Sequence, residues 1–412
     1  MSNLSRRKLL SGIAGASMGA AVGGTLHAAP QEHVGRSSYS GAGNQGPAGE
    51  QECPLALVDF KPKSHLHVKE TEVMTPRFPV IDTHTHLTFV GRGGGRSSRV
   101  SYLASKQELV EVMDRKGVDI MVNLTGGYGP EHDEIMHHFS GEHAERFITF
   151  VEPWYHRIME ADYSRILADE VERAGKNGAK GLKVLKTLGL FLREQVDKGP
   201  LVKVDDPRYD EMWEAAGAMK MPVWIHVSDP EAFFEPIDQY NERFEELNAH
   251  PDWSFHGRDY PSDRELQEAR QRMMKKHPNT NYVACHIGNS ENLDYVSECL
   301  EECPNLYVDF SARISELGRQ PRRSRRFFEE YQDRIMFGTD AVPYGYQTPQ
   351  QIFGDKLYEI YYRFLETGDE YFDYAPAETP PQGRWRISGI DLSDSILKKI
   401  YNENARRILG LA

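Results

Sequence analysis

From Phe78 to Asp340 the chain alternates between short apolar runs and longer amphipathic stretches. The apolar runs fall at Phe78–Leu87, Val118–Leu124, Arg146–Val151, Ala179–Leu185, Met221–Val227, Asn281–Ile287, Leu306–Phe310 and Arg334–Thr339. Between them, helical periodicity covers Lys106–Lys116, Glu131–Ala144, Tyr163–Lys176, Pro207–Lys220, Asp263–Lys276, Asn292–Cys303 and Arg322–Tyr331. The fourth of these has Asp206 as its cap and Pro207 at the first helical position, a standard helix start. Repeated strand–helix–strand units build a parallel sheet. Eight of them in this length predict an α/β fold, a (β/α)8 TIM-type barrel, with a doubly wound open sheet as the alternative.

After Asp340 the rhythm breaks. Tyr344–Tyr374 is rich in aromatic residues and contains a helical stretch, Gln351–Leu365. A proline-containing segment follows, then a last helix from a Ser393 cap to Leu409. Ile396, Ile400 and Ile408 form one stripe of that helix, and Gly410 stops it. This region reads as a C-terminal helical and aromatic extension that covers the barrel.

The N-terminus has another character. Ser5-Arg6-Arg7-Lys8-Leu9-Leu10 is a twin-arginine motif, followed by a weakly apolar run to Leu26. Residues 1–29 therefore read as an export signal, cleaved near Ala28 or Ala29, with an uncleaved anchor as the alternative. The expected location is periplasmic or extracellular. Residues 30–54 are rich in Gly, Ser, Gln and Pro and read as a flexible linker. Residues 55–412 read as the barrel, entered through an extended lead-in whose His65 and His67 are surface residues.

Composition narrows the class. The chain has 412 residues, 39% hydrophobic, with a formal net charge of −13. That balance argues against a nucleic-acid binder, which needs a basic footprint. No long apolar stretch follows the signal, so no stable membrane insertion is expected after cleavage. Four cysteines, Cys53, Cys285, Cys299 and Cys303, are too few for a disulfide scaffold.

The chemistry sits at the ends of the apolar runs. In such barrels catalytic groups cluster where strands end. The first run ends in His84-Thr85-His86, the fifth in His226, the sixth in His286 and the eighth in Thr339-Asp340. His84 and His86 are two apart on a strand, so they share a face about 7 Å apart. A single strand ending in histidine is more often a core hydrogen bond than a ligand. Four histidines and an aspartate converging on one mouth point to a divalent metal.

These residues resemble the amidohydrolase-related family of the amidohydrolase superfamily, in particular its aminocarboxymuconate-semialdehyde decarboxylase-like group. The resemblance runs from about Phe78 to Leu411 and includes the closing Asn404-Ala405-Arg406-Arg407-Ile408-Leu409-Gly410-Leu411. It implies a distorted barrel with one divalent metal, most often zinc. It implies His84, His86, His226 and Asp340 as ligands and His286 as the residue that activates or orients water, with Asp340 an alternative base. Some members of the wider superfamily bridge a second metal with a carboxylated lysine on the fourth strand, where Lys183 stands here. The favoured reading of Lys183 is instead a mouth lysine that pairs with an acid or binds a substrate carboxylate. Glu152 and Arg313 are further substrate-binding candidates, each equally plausible as part of a structural ion pair. Cys285, next to His286, is expected to face away from the site.

The resulting expectation is a metal-dependent hydrolase in which metal-activated water attacks an ester, lactone, amide or related bond of a small molecule. A non-oxidative decarboxylase on the same metal cradle is the main alternative, and a non-catalytic exported metal-binding barrel a third. The resembled group often forms homodimers.

Overall fold

The structure is a computed structural model that describes residues 55–56, 59–91, 100–257, 259–343 and 351–411. The export signal and the linker lie outside the described residues. The described residues up to Val68 fall in one compact unit and those from Lys69 onward in another. The first is extended, and its His65 and His67 are exposed.

In the second unit each apolar run contains a strand. β1 is Val80–Thr85, β4 Val118–Asn123, β5 Phe147–Thr149 and β6 Leu182–Val184. β7 is Val223–Ile225, β8 Tyr282–Ala284, β9 Leu306–Asp309 and β10 Ile335–Met336. A small antiparallel hairpin, β2 (Thr88–Val90) with β3 (Val100–Tyr102), sits beyond the first strand and has no counterpart in the sequence reading. The hydrogen-bonded order is β1-β4-β5 and β10-β9-β8-β7-β6, all parallel.

Two seams join these sheets. At one, Lys183 N–H donates to Val151 O at 2.8 Å and Val151 N–H to Gly181 O at 3.0 Å. At the other, Thr83 N–H donates to Phe337 O at 3.0 Å and Asp340 N–H to His84 O at 2.8 Å. The strands thus form a distorted (β/α)8 barrel whose seams are held by few bonds.

The helices follow local signals. Ser105 and Ser262 each form a capping box, with Glu108 and Glu265 at the third position of Lys106–Lys116 and Asp263–Lys276. The last helix is interrupted by a π turn, Lys399–Glu403. There Ile400 O accepts Phe337 N–H at 3.0 Å, so the irregular turn serves the seam at β10.

Inside the barrel, Ile81, Val122, Phe150, Trp224, Val283 and Met336 form an apolar floor. Ala405, Ile408 and Leu409 of the last helix close it from below. Asn404 fixes that helix by donating to Ile335 O at 2.7 Å. Among the described residues no helix is long and apolar enough to cross a membrane.

Candidate metal centre

β1 is buried along its whole length, because both its faces meet protein. Asp82, two residues ahead of His84, accepts from His84 N–H, Thr339 N–H, the Thr339 hydroxyl and the Tyr358 hydroxyl. One carboxylate thereby ties the first strand to the turn that carries Asp340. Gly338 makes the close approach possible, since a Cβ there would meet His84 Cβ at 2.9 Å.

The structure brings His84, His86 and Asp340 together, their ligand atoms within 4.8 Å of one another. Asp340 Oδ1 is 3.2 Å from His84 Nε2 and 3.0 Å from His86 Nε2. His84 and His286, with Asp309, form a second overlapping group. His226 stands farther round the mouth, its ring 4.4 Å from that of His286. Asp340, His286 and Ala312, at or just past three strand ends, all have positive φ. Left-handed backbone at non-glycine residues is strain of the kind that functional sites hold.

The other ring nitrogens are fixed. His84 Nδ1–H donates to Asp309 Oδ2 at 3.0 Å, and His286 Nδ1–H to Ser311 O at 2.8 Å. Such outer partners orient metal-binding imidazoles and select the tautomer that offers Nε2. Asp309 is itself held by the Ser311 hydroxyl and by His286 N–H. Gln351 donates to Asp340 Oδ2.

Burial lowers the pKa of His86 and of His226 to about 4, and that of His286 well below the ordinary value. These rings are neutral at pH 7, as ligation requires. His84 differs. Burial and the Lys183 ammonium press its pKa down, but Asp309, Cys285 and Asp340 prevail and raise it. The surrounding carboxylates thus demand a positive charge at this ring. Burial presses the pKa of Asp340 up, but the charge of His84, the contacts with His84 and His86 and the charge of His286 together outweigh it and hold the carboxyl well below the ordinary carboxylate range.

The remaining sequence candidates part ways. Lys183 is fully buried, with Nζ 3.3 Å from His84 Nε2 and 3.0 Å from Cys285 Sγ. No carboxylate pairs with it among the described residues, so of its two expected partners, an acid of the chain or a substrate carboxylate, the first is absent and an imidazole and a sulfur are its neighbours. Cys285 does not face away either. The backbone turns left-handed at His286 and Ile287, which breaks the alternation, and both Cys285 and His286 line the mouth. Glu152 accepts Gly127 N–H at 2.9 Å and so braces a neighbouring loop. Arg313 lines the same cleft as His226 and His286 and donates to Ala312 O at 3.0 Å.

Sequence reasoning missed Asp309, Ser311 and the buried Lys186–Asp229 pair, whose Asp229 Oδ1 lies 3.4 Å from His226 Nε2. An acid at the end of the seventh run was the available signal for Asp309. The aromatic residues after β7 mostly pack on one another, Phe233 against Trp253 and Phe255 against Phe234 and Tyr260.

The donor set fits a divalent metal. Among the described residues, Asp340 Oδ1 and His226 Nε2 are buried without a well-formed hydrogen bond, despite the short approaches above. Lone pairs that face each other in a dry site call for a cation. Nitrogen and carboxylate donors suit zinc and other first-row ions.

No curated protein matches the chain. Solved structures it resembles include a dihydroxybenzoic acid decarboxylase from Polaromonas sp. JS666 with bound manganese and 2-nitroresorcinol. It is 17% identical, with 74% of this chain and 86% of that one covered and a TM-score of 0.47. Another is 5-carboxyvanillate decarboxylase from Sphingomonas paucimobilis, at 16% identity, 74% and 83% coverage and a TM-score of 0.42. A third is a probable 2-pyrone-4,6-dicarboxylic acid hydrolase from Acinetobacter baumannii with citric acid bound, at 12% identity, 81% and 100% coverage and a TM-score of 0.46. The family model described as amidohydrolase matches residues 81–411, from the first strand to the last helix. The chain belongs to the amidohydrolase family of metal-dependent enzymes.

Proposed function

We propose that the chain is a metal-dependent hydrolase of small molecules. His84, His86, His226 and Asp340 would hold one divalent ion, with zinc the expected metal. When bound, the ion would supply Lewis acidity that polarises a scissile carbonyl and acidifies a water molecule. The residues of the chain do the rest. Ser311 O accepts a hydrogen bond from His286 Nδ1–H, which leaves Nε2 as the base that accepts the proton of water and later returns it to the leaving group. Asp309 keeps the His84 ring in place. The observation that carries this reading is the convergence of His84, His86 and Asp340 around an oxygen with no well-formed hydrogen bond, with His286 beside them.

A second reading, decarboxylation, is favoured by Arg313. It is buried, makes no ion pair among the described residues and lines the cleft beside His226 and His286. A guanidinium there would hold a substrate carboxylate through paired hydrogen bonds. The twin-arginine motif supports export of the folded enzyme, which cell fractionation tests.

The deciding experiment measures metal content and then turnover of a panel of lactones, esters and aryl carboxylates in water labelled with heavy oxygen, the label being read in the organic product. The hydrolase reading expects about one metal per chain and label in the product. Carbon dioxide release without label would establish the second reading, and two metals per chain would bring back a bridging Lys183.

A further inference from the structure

Arg270 lies on the helix Asp263–Lys276, in a stretch that reads as an ordinary amphipathic helix. It is only 2% exposed. Among the described residues it has no hydrogen bond and no ion pair, and its Nε is buried without a partner. Three other buried cations differ: Lys116 pairs with Glu359, Lys186 with Asp229, and Arg243 with Glu246 and Glu316, whereas Lys183 and Arg313 share its lack of an acid.

Its position is defined by Gly288, two residues after His286. A Cβ at Gly288 would lie 2.8 Å from Arg270 Nη1 and 3.0 Å from Nη2, so the guanidinium rests against a bare α-carbon. Gly288 has φ +80°, and Gln267 donates to its carbonyl at 2.6 Å. The guanidinium lines the narrow cleft shared by His226, His286 and Arg313.

Nearby acids do not neutralise it. Asp229, also in the cleft, is engaged by Lys186 and His226. Glu291, on the same wall, feels Arg313 and Arg243. Tyr295 and Cys303 feel the charge of Arg270, but burial keeps both protonated and neutral. A buried, unpaired guanidinium is unfavourable unless an anion joins it.

We infer that Arg270 and Arg313 form an oxyanion subsite in this cleft, which binds a carboxylate-type group of the substrate beside His226 and His286. Arg270 is its specificity-determining residue. The inference builds on the proposed enzymatic reading by naming the charge its substrate carries. The planar fork of each arginine matches a carboxylate, as a lysine would not.

The test uses the full chain with benzoate as probe, against chloride at equal ionic strength. Calorimetry on the wild type is expected to show saturable benzoate binding, weakened about tenfold or more in Arg270→Gln, as loss of one charge-assisted pair implies. Arg272→Gln, on the exposed side of the same helix, is expected to bind as wild type. Thermal melts give an independent readout. Without benzoate, Arg270→Met should melt at or above the wild type, because it removes an unpaired buried charge. With benzoate, only the wild type should rise.

A variant that melts lower, or does not fold, would make Arg270 structural and overturn the inference, as would equal benzoate affinity in wild type and Arg270→Gln. A wild type that binds benzoate but holds no metal would sink the hydrolase reading and leave the subsite. Metal-dependent turnover of uncharged esters, with benzoate indifferent to Arg270, would do the reverse.

Discussion

The floor and the mouth of this barrel are built by the same strands and are equally dry, yet they are opposite in chemistry. Ile81 and His84 lie on one strand, and each is 0% exposed. The floor holds aliphatic and aromatic groups that need nothing from water, apart from an unpartnered Trp224 indole N–H. The mouth holds imidazoles, carboxylates and cations, several with polar atoms left unpaired. Burial stabilises the first and is a liability in the second. The floor accounts for folding, while the mouth stores unsatisfied demand that a metal and a substrate would meet.

The largest expected effect tests the mouth. Asp340→Ala should abolish metal binding and reduce turnover by on the order of 10³-fold or more. Its melting temperature in the absence of metal should fall below that of the wild type, because the contacts of Asp340 with His84 and His86 more than offset the cost of burying it. Metal analysis and a melt on one sample check both halves. Metal retained at wild-type level would remove Asp340 from the centre.

The floor should respond in the other currency. Trp224 packs edge-on against Phe150, with centroids 5.2 Å apart. Trp224→Ala should destabilise the fold by about 3–5 kcal/mol, from lost transfer energy and the cavity left behind. Metal per folded chain should stay as in the wild type. Denaturant melts and metal analysis of the folded fraction would show whether the two regions are that separable.

A third difference concerns pH, since only the mouth carries charge. Burial, and then the charge of Glu316, raise the Glu291 carboxyl from its ordinary 4.5 to about 7. The folded protein therefore favours the protonated form. The stability this group lends is whole below pH 4.5 and is lost as pH rises through 7. Glu291→Gln should match the wild type at low pH and exceed it above pH 7, by on the order of 3 kcal/mol. Stability curves at several pH values would reveal it, and parallel curves would rule it out.

The same contrast explains what was legible in the sequence. The floor and its helices announce themselves locally. Apolar runs located all eight barrel strands, and Tyr163–Lys176 and Asp263–Lys276 match the periodicity end to end. The mouth histidines were legible because they end those runs. What failed was whatever leaves no period in the sequence or depends on partners far along the chain. The β2–β3 hairpin has three residues per strand, too few for a period. Cys285 was assigned to the wrong face because strand alternation cannot foresee the left-handed turn at His286. Arg270 looks like any helix arginine until the Gly288 backbone is laid against it. Lys186 and Asp229 become a pair only once β6 and β7 are neighbours.

Asp309 sits where floor gives way to mouth, and it sharpens the boundary most finely. It is the last residue of β9, fully buried, and one carboxylate oxygen takes the Nδ1 proton of His84. The other accepts His286 N–H, Ser311 N–H and the Ser311 hydroxyl. Asparagine keeps the shape and one acceptor oxygen. If that oxygen stays with the backbone donors, the amide N–H₂ group meets a second donor at His84 Nδ1. The ring must then give up that proton or turn, and Nε2 is no longer held toward Asp340. Asp309→Asn should therefore weaken metal binding about 10- to 100-fold, the range for a lost outer partner. Metal titration of the stripped protein measures the loss directly. Unchanged affinity with a lowered melting temperature would place Asp309 with the floor, as a residue that holds strands together. Lowered affinity with an unchanged melt would place it with the mouth.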